Sequence, residues 1–515
     1  MLAGALPLAY YTAMNKARVI IVGAGIAGLS AGSYLAREGY DTEILEKHSI
    51  PGGLCTAWKR NGYTIDYCVH WLMGTKKGSG FDILWEELGA LKDEKNKAVE
   101  IINFSEFTRI ELSTGEKIKL YSDLDQLQAE FLKVSPEDKK EIKKFIKDLK
   151  TLSRLINAVD KENWNFIDYL SYYKNNLQPF LRVMKYARMT MEELAHKWQN
   201  PKLQELFKAI IPPSWSAISL LFGMAFQHVQ AAGYPLGGSL AFAKNIERKC
   251  LKLGVKINYS SRVEKIVTQD NKAVGIKLDN GTEYYADYIV SAADGYSTLF
   301  NLLDGKYLTP QLEKAYKEYS LFPSSIYLAF GVDKDLKDYP HALILNLDQS
   351  LVLEDGSEHN YLNLNIYNFD PTLAPAGKTA VTVIINTWET NYWEQLAEND
   401  YEQYNKIKAE IAEKVLEIIN NRIDGFSSAV EKIDVSTPYT VKRYTSNWQG
   451  SYEGFAPTPA ALMKKMPKDI KGLDNFQMIG QWTEPGGGIP SAALDGRNLC
   501  KKLCKEDKID FNAAI

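Results

Sequence analysis

Gly23, Gly25 and Gly28 stand in G-x-G-x-x-G spacing in the run Gly23-Ala24-Gly25-Ile26-Ala27-Gly28, and that spacing suits a pyrophosphate. The first glycine permits a tight turn and the second lets the backbone approach the phosphates. The third lets a helix close on a strand, and the free N–H groups of the helix start face the anion. Glu46, eighteen residues after Gly28, is placed where a carboxylate can accept hydrogen bonds from an adenosine ribose. A second glycine pair, Gly52-Gly53 ahead of Leu54, can bring backbone N–H groups to another segment of the same ligand. His70 lies in Asp66-Tyr67-Cys68-Val69-His70-Trp71-Leu72. A histidine among apolar neighbours is usually structural, but its place after the glycine pair lets it face a redox ring.

The elements that must position these residues are legible around them. Arg18-Val19-Ile20-Ile21-Val22 is a nearly unbroken apolar run with branched residues, as expected of a parallel strand covered on both faces. A helix follows the glycines, with Gly32 extending its thin face, and a second strand ends in Glu46-Lys47. Strand, glycine turn, helix and terminal acid together predict dinucleotide binding. A matching device closes the chain: Asn475 to Gly480 reads as a strand, and Gly486-Gly487-Gly488-Ile489-Pro490 opens a helix running to about Cys504. Three glycines and a proline there make a second anion-friendly helix start. Lys501, Lys502 and Lys505 complement the dipole at its far end.

Between these ends, a hairpin is predicted over Thr108 to Tyr121. Ser135-Pro136-Glu137 opens a helix with a capping serine. That helix sets Ile142, Phe145, Ile146, Leu149, Leu152, Leu155 and Ile156 on one face and lysines on the other. It packs on a domain, or touches anionic lipid through its basic face. The chain then reads as helical to about Gln230. Helix, glycine, strand, strand over Leu240 to Ile266 returns it to the first sheet, and a hairpin turns at Asp279-Asn280-Gly281-Thr282. Ser324 to Val332 and Lys378 to Thr387 read as strands, and Tyr401 to Asn421 as a long helix.

Length and composition bound the rest. At 515 residues, two or three domains are expected. A formal net charge of −3 argues against nucleic acid as a main partner. Five cysteines without C-x-x-C or metal spacing point to a reducing compartment and to no metal. No apolar run approaches the ~20 residues needed to span a bilayer. Residues 1–14 are apolar without Lys or Arg, a poor secretory signal; a disordered or non-native leader is expected, with a weak membrane-contacting segment as the rival.

Four separated blocks resemble the FAD-dependent phytoene desaturase family, which includes carotenoid isomerases and retinol saturases. They are VGAGIAGLSAG…ILEK, PGGL…NGYTIDYCVHW, GYPLGGS and GQWTEPGGGIPSAALDG, supported by DPTLAPAGKT and DVSTPYTVKRYTSNWQGS. The resemblance implies an α/β fold: a discontinuous Rossmann-type FAD domain of the glutathione-reductase type, a β-rich substrate domain and a helical lid. The FAD domain would take residues 15–105, 230–305 and 465–507, the mostly helical lid and part of the substrate domain 106–229, and the β-rich substrate domain 306–464. By position, Gly23, Ala24, Gly25, Ile26, Ala27 and Gly28 would hold the pyrophosphate and Glu46 with Lys47 the ribose end. Gly52, Gly53 and Leu54 would line the flavin side, Val263 the adenine, and Gly480, Glu484, Gly488, Ile489 and Pro490 the pyrophosphate and the flavin's pyrimidine end. Two departures stand out: Leu54 replaces an arginine common in the family, and His70-Trp71 resembles the retinol-saturase branch.

The resemblance implies hydride exchange between flavin N5 and carbon–carbon bonds of a long apolar substrate such as a carotenoid, retinoid or isoprenoid lipid. The enzyme would act as desaturase, saturase or isomerase, with His70 and Glu484 as candidate acid–base groups. Electrons would pass to or from a quinone, oxygen, nicotinamide or another protein. A cytoplasmic location is expected, with peripheral contact on a membrane. Another flavin oxidoreductase of this fold, such as an amine oxidase, and a non-enzymatic lipid-binding escort protein stay open.

Overall fold

In the computed structural model, residues 17–156, 172, 174–464 and 466–512 are described. The leader of residues 1–14 and part of the helical stretch before Gln230 lie outside them. A five-stranded parallel sheet carries the glycine motifs. Its order is Phe476–Met478, Tyr288–Ser291, Arg18–Val22, Asp41–Leu45 and Lys256–Asn258. Val19, Ile20 and Ile21 are fully buried, as the apolar run requires. Order reverses at Arg18–Val22, so its C-terminal edge is a switch-point crevice of the kind that takes nucleotides.

The two ends of the chain meet on this sheet. Helices Ile26–Arg37 and Ile489–Glu506 cross closely because Gly496 has no side chain there; a Cβ would come within 2.7 Å of Ser30 Oγ. Ser30 Oγ also donates to the carbonyl of Ala493 at 2.7 Å.

Lys256–Asn258 joins the parallel sheet, but Val263–Gln269 does not, correcting the expectation that both strands return to it. It pairs with Lys272–Leu278 in a separate three-stranded antiparallel sheet that also holds Glu283–Tyr285. A seven-stranded sheet runs Val430–Ser436, Ser324–Val332, Thr379–Thr387, Glu358–Ile366, Ala342–Val352, Glu106–Glu111 and Lys117–Tyr121. The hairpin near residue 115 is thus its edge, joined to Ala342–Val352 in parallel. Helix Tyr401–Asn420 covers this sheet with Tyr404, Ile407, Ile411, Val415 and Ile419.

The helical unit includes Lys139–Leu152, Leu177–Ala187 and Ala217–His228. Ile142, Phe145, Ile146, Leu149 and Leu152 are buried in its core. Ser135 does not cap the helix after it. Its hydroxyl donates to Asp138 at 2.6 Å, and Asp138 in turn accepts the N–H groups of Gln199 and Asn200.

Candidate active site

A cavity of about 1940 Å³ opens from the switch-point crevice, roughly twice the upper end of ordinary ligand pockets at about 1,000 Å³. Gly23 turns the chain at φ +102, a conformation that disfavours side chains. Gly25 faces open space, with nothing within 4 Å of an added Cβ, whereas a Cβ on Gly28 would collide with the carbonyl of Gly23. The two glycine motifs form one floor: the N–H of Gly52 donates to Ala24 O at 2.8 Å, and Gly25 bridges Gly52. Gly23, Gly25, Ile26, Ala27, Gly52, Gly53 and Leu54 line the cavity. Ala24 and Gly28 lie behind it, holding the loop and the helix.

Glu46 ends its strand at this floor, 7% exposed. Its Oε2 accepts the Ala24 N–H and its Oε1 the His48 N–H, each at 2.7 Å. Burial raises its pKa and those two bonds oppose the rise. Each oxygen keeps a lone pair for a ligand hydroxyl. Glu46 therefore also pins the glycine turn, a task the sequence did not reveal. Lys47 reaches across to Ser446 Oγ at 2.6 Å and to the carbonyl of Arg443, and burial lowers its pKa. Val263 lines the same end.

The terminal glycine loop closes the other side. Gly480, Gly488, Ile489 and Pro490 line the cavity; Gly480, at φ +100, lies close to Ala27. The N–H of Gly480 and the Thr483 hydroxyl both donate to Asp495. Glu484 is not part of this lining. Its carboxylate is 49% exposed and turns outward to Lys468 at 2.6 Å, because Lys468 bridges it to Asp495. The placement expected for Glu484 is thereby corrected: it closes a surface ion pair.

His70 lines the cavity, its Nδ1 3.4 Å from the Tyr367 hydroxyl. Desolvation lowers its pKa to about 4, so the ring is neutral near pH 7 and is no cationic donor. Below it, buried Asp66 accepts the N–H and hydroxyl of Ser239, and burial pushes its pKa up to about 6. Sequence reasoning also missed Tyr452 and Glu453, which line the cavity from a loop without motif spacing.

From the switch-point crevice an apolar arm runs into the helical unit. Ile218, Phe222 and Phe226, four residues apart on one helix, face it together with Val183, Met184 and Trp215. No group of His, Cys, Asp or Glu suited to a metal occurs among the described residues.

Residues 26–504 match the flavin containing amine oxidoreductase family. The chain belongs to that family. It is an FAD-dependent oxidoreductase, and the glycine floor, the buried Glu46 and two helix starts facing one crevice suit that cofactor. Among its relatives, prolycopene isomerase of Daucus carota is 26% identical over 494 residues, covering 93% of this chain and 78% of that one. Phytoene desaturase of Phycomyces blakesleeanus is 25% identical over 516 residues, covering 94% and 85%. Putrescine oxidase bound to putrescine shares the fold at a TM-score of 0.61 with 12% identity, covering 95% of this chain and 99% of that one.

Proposed function

We propose that the chain exchanges hydride between FAD and a carbon–carbon unit of a long polyene, a carotenoid or similar isoprenoid lipid. The observation that carries this reading is the apolar arm continuous with the nucleotide crevice. A charged or small substrate would gain nothing from an arm walled by Ile218, Phe222, Phe226 and Trp215. The relatives named for prolycopene and phytoene point to the same substrate class.

In this reading Gly23, Gly25, Ile26 and Ala27 face the pyrophosphate, with Ala24 and Gly28 shaping their loop. Glu46 takes the ribose and Lys47 and Val263 stand at the adenosine end. Gly52, Gly53 and Leu54 line the flavin on one side, and Gly480, Gly488, Ile489 and Pro490 on the other. Bound FAD supplies the hydride acceptor or donor. The protein orients the polyene, excludes water and stabilises charge through the start of helix Ile489–Glu506. His70 serves as a neutral wall residue held by Tyr367.

The substrate is drawn from a lipid surface. Leu177, Leu181 and Met184 are 56%, 51% and 39% exposed on helix Leu177–Ala187, and Met184 also lines the cavity. No helix among the described residues is long and apolar enough to cross a membrane, so contact would be peripheral. The apolar face of Lys139–Leu152 is spent in the core, which leaves that helix only its lysines for lipid headgroups.

Anaerobic incubation with phytoene and prolycopene in phospholipid vesicles tests the function, with flavin absorbance and product mass followed together. Bleaching with loss of two hydrogens identifies desaturation; unchanged mass with altered double-bond geometry identifies isomerisation. Oxidation of amines such as putrescine with neither carotene altered would overturn the polyene reading.

A further inference from the structure

The turn Ser451-Tyr452-Glu453-Gly454-Phe455 carries a carboxyl group into the cavity and is pinned on two flanks. On one, the Tyr452 N–H donates to Pro323 O at 3.2 Å and the Phe322 N–H to Gly454 O at 2.8 Å, while Leu321 and Phe455 form an antiparallel bridge. On the other, the Gly486 N–H donates to Phe455 O at 3.0 Å. Gly454, at φ +75, presses so near Gln481 that a Cβ would come within 2.9 Å of its carbonyl oxygen. The turn is thus fixed both to the segment entering strand Ser324–Val332 of the seven-stranded sheet and to the terminal glycine loop.

From this anchored position the Glu453 side chain lines the cavity. Its Oε1 lies 2.8 Å from where a Cβ on Gly488 would sit, beside the start of helix Ile489–Glu506. Trp215 and Phe322 pack next to the same turn. Among the described residues the carboxyl has no hydrogen-bond or ion-pair partner. Glu453 is half-buried, and partial desolvation of an unpaired carboxylate favours its protonated form.

We propose that Glu453 is the proton-exchanging catalytic residue of the polyene reaction, an assignment that rests on the flavin-dependent reading above. In desaturation, one carbon releases a hydride, with both electrons of its C–H bond, to the flavin, which is reduced by two electrons. The neighbouring carbon gives its proton to the Glu453 carboxylate, and the electron pair left behind becomes the new π bond. Saturation runs the same transfers backwards. Isomerisation, starting from reduced flavin, adds the hydride and the Glu453 proton across a double bond, lets the resulting single bond rotate, and removes both again, so that the flavin ends reduced as it began. Burial alone pushes Glu453 up to about 7, where one group can both give and take a proton near neutral pH. Its titratable neighbour Tyr452 is raised by burial and by Glu453 itself and stays protonated.

The test uses flavin-loaded wild type, Glu453→Gln and Glu453→Asp. Infrared titration of the wild type should show a carboxyl band with a midpoint near 7 that Glu453→Gln abolishes. With phytoene or prolycopene in phosphatidylcholine vesicles, Glu453→Gln should keep its flavin but react roughly 10²–10⁴-fold more slowly. It should also lose the pH dependence near neutrality, and Glu453→Asp should recover part of the rate. Glu453→Gln reacting within about threefold of wild type on an unchanged pH profile overturns the proposal, as does the absence of such a band. Loss of flavin from both variants assigns Glu453 to holding the loop and also overturns it. Failure of the wild type itself to hold flavin, or to react with either carotene, overturns the polyene reading together with this one.

Discussion

Replacing Glu46 by Gln tests whether the glycine turn is set by this carboxylate. The two carboxylate oxygens accept the N–H groups of Ala24 and His48, each at 2.7 Å. Glutamine has a single carbonyl oxygen, so one of the two N–H groups must face an amide NH₂ instead. An unsatisfied buried donor costs about 1–3 kcal/mol. Ala24 sits between Gly23 and Gly25, and its carbonyl receives the Gly52 N–H, so the distortion falls on the floor that both glycine motifs share. If most of that cost appears in cofactor binding, FAD affinity should fall about 10- to 100-fold, since 1.4 kcal/mol is a factor of ten. Glu46→Ala strands both donors and should fall further. Titrating apo-protein with FAD and following the quenching of flavin fluorescence measures both constants. A Glu46→Gln protein that binds FAD within about twofold of wild type would refute the reasoning, because the carboxylate would then neither shape the turn nor meet the ribose.

Gly496→Leu should force apart the first and last helices, whose contact leaves 2.7 Å between a Cβ at this position and Ser30 Oγ. Overpacking of this kind costs typically about 1–3 kcal/mol, and a melting curve unchanged from wild type would show that the two ends do not depend on this crossing. Asp66 has a folded-state pKa near 6 against an ordinary 3.8, so the native state binds its proton more tightly than the unfolded chain. Its contribution therefore falls as pH rises from about 4 to about 6. A rise of about two pH units is worth about 3 kcal/mol. Wild type should lose that much relative to Asp66→Asn across the window in denaturant titrations, and a pH-independent difference would contradict it. Exchanging Leu177, Leu181 and Met184 for serine should weaken sedimentation with phospholipid vesicles more than Lys143→Glu with Lys144→Glu, because only the first set presents exposed apolar surface; the opposite order would return the contact to the lysine face.

The nucleotide half of this protein could be read from its sequence because its signals are local. Four apolar residues, three glycines at fixed spacing and an acid at the end of the next strand encode strand, turn and helix within one stretch. The glycines of the terminal loop were legible for the same reason, since a glycine run before Ile489-Pro490 marks a helix start wherever the helix lies. The amphipathic pattern of Lys139–Leu152 likewise foretold a buried face. What that face packs against was decided by neighbours distant in the chain.

Side-chain direction was the part that only tertiary structure could decide. Glu484 and Glu453 are both carboxylates in loops near the terminal helix, yet Lys468 draws one outward to the surface. The other is turned into the cavity by backbone bonds to residues 322–323 and 486. Val263 left the parallel sheet for a neighbouring one because its ladder partner is Leu278. A motif fixes what the backbone of a short segment can do. Which of two similar acids meets a ligand depends on cations and hydrogen bonds from segments far away in the sequence, and those distances exist only once the chain is folded.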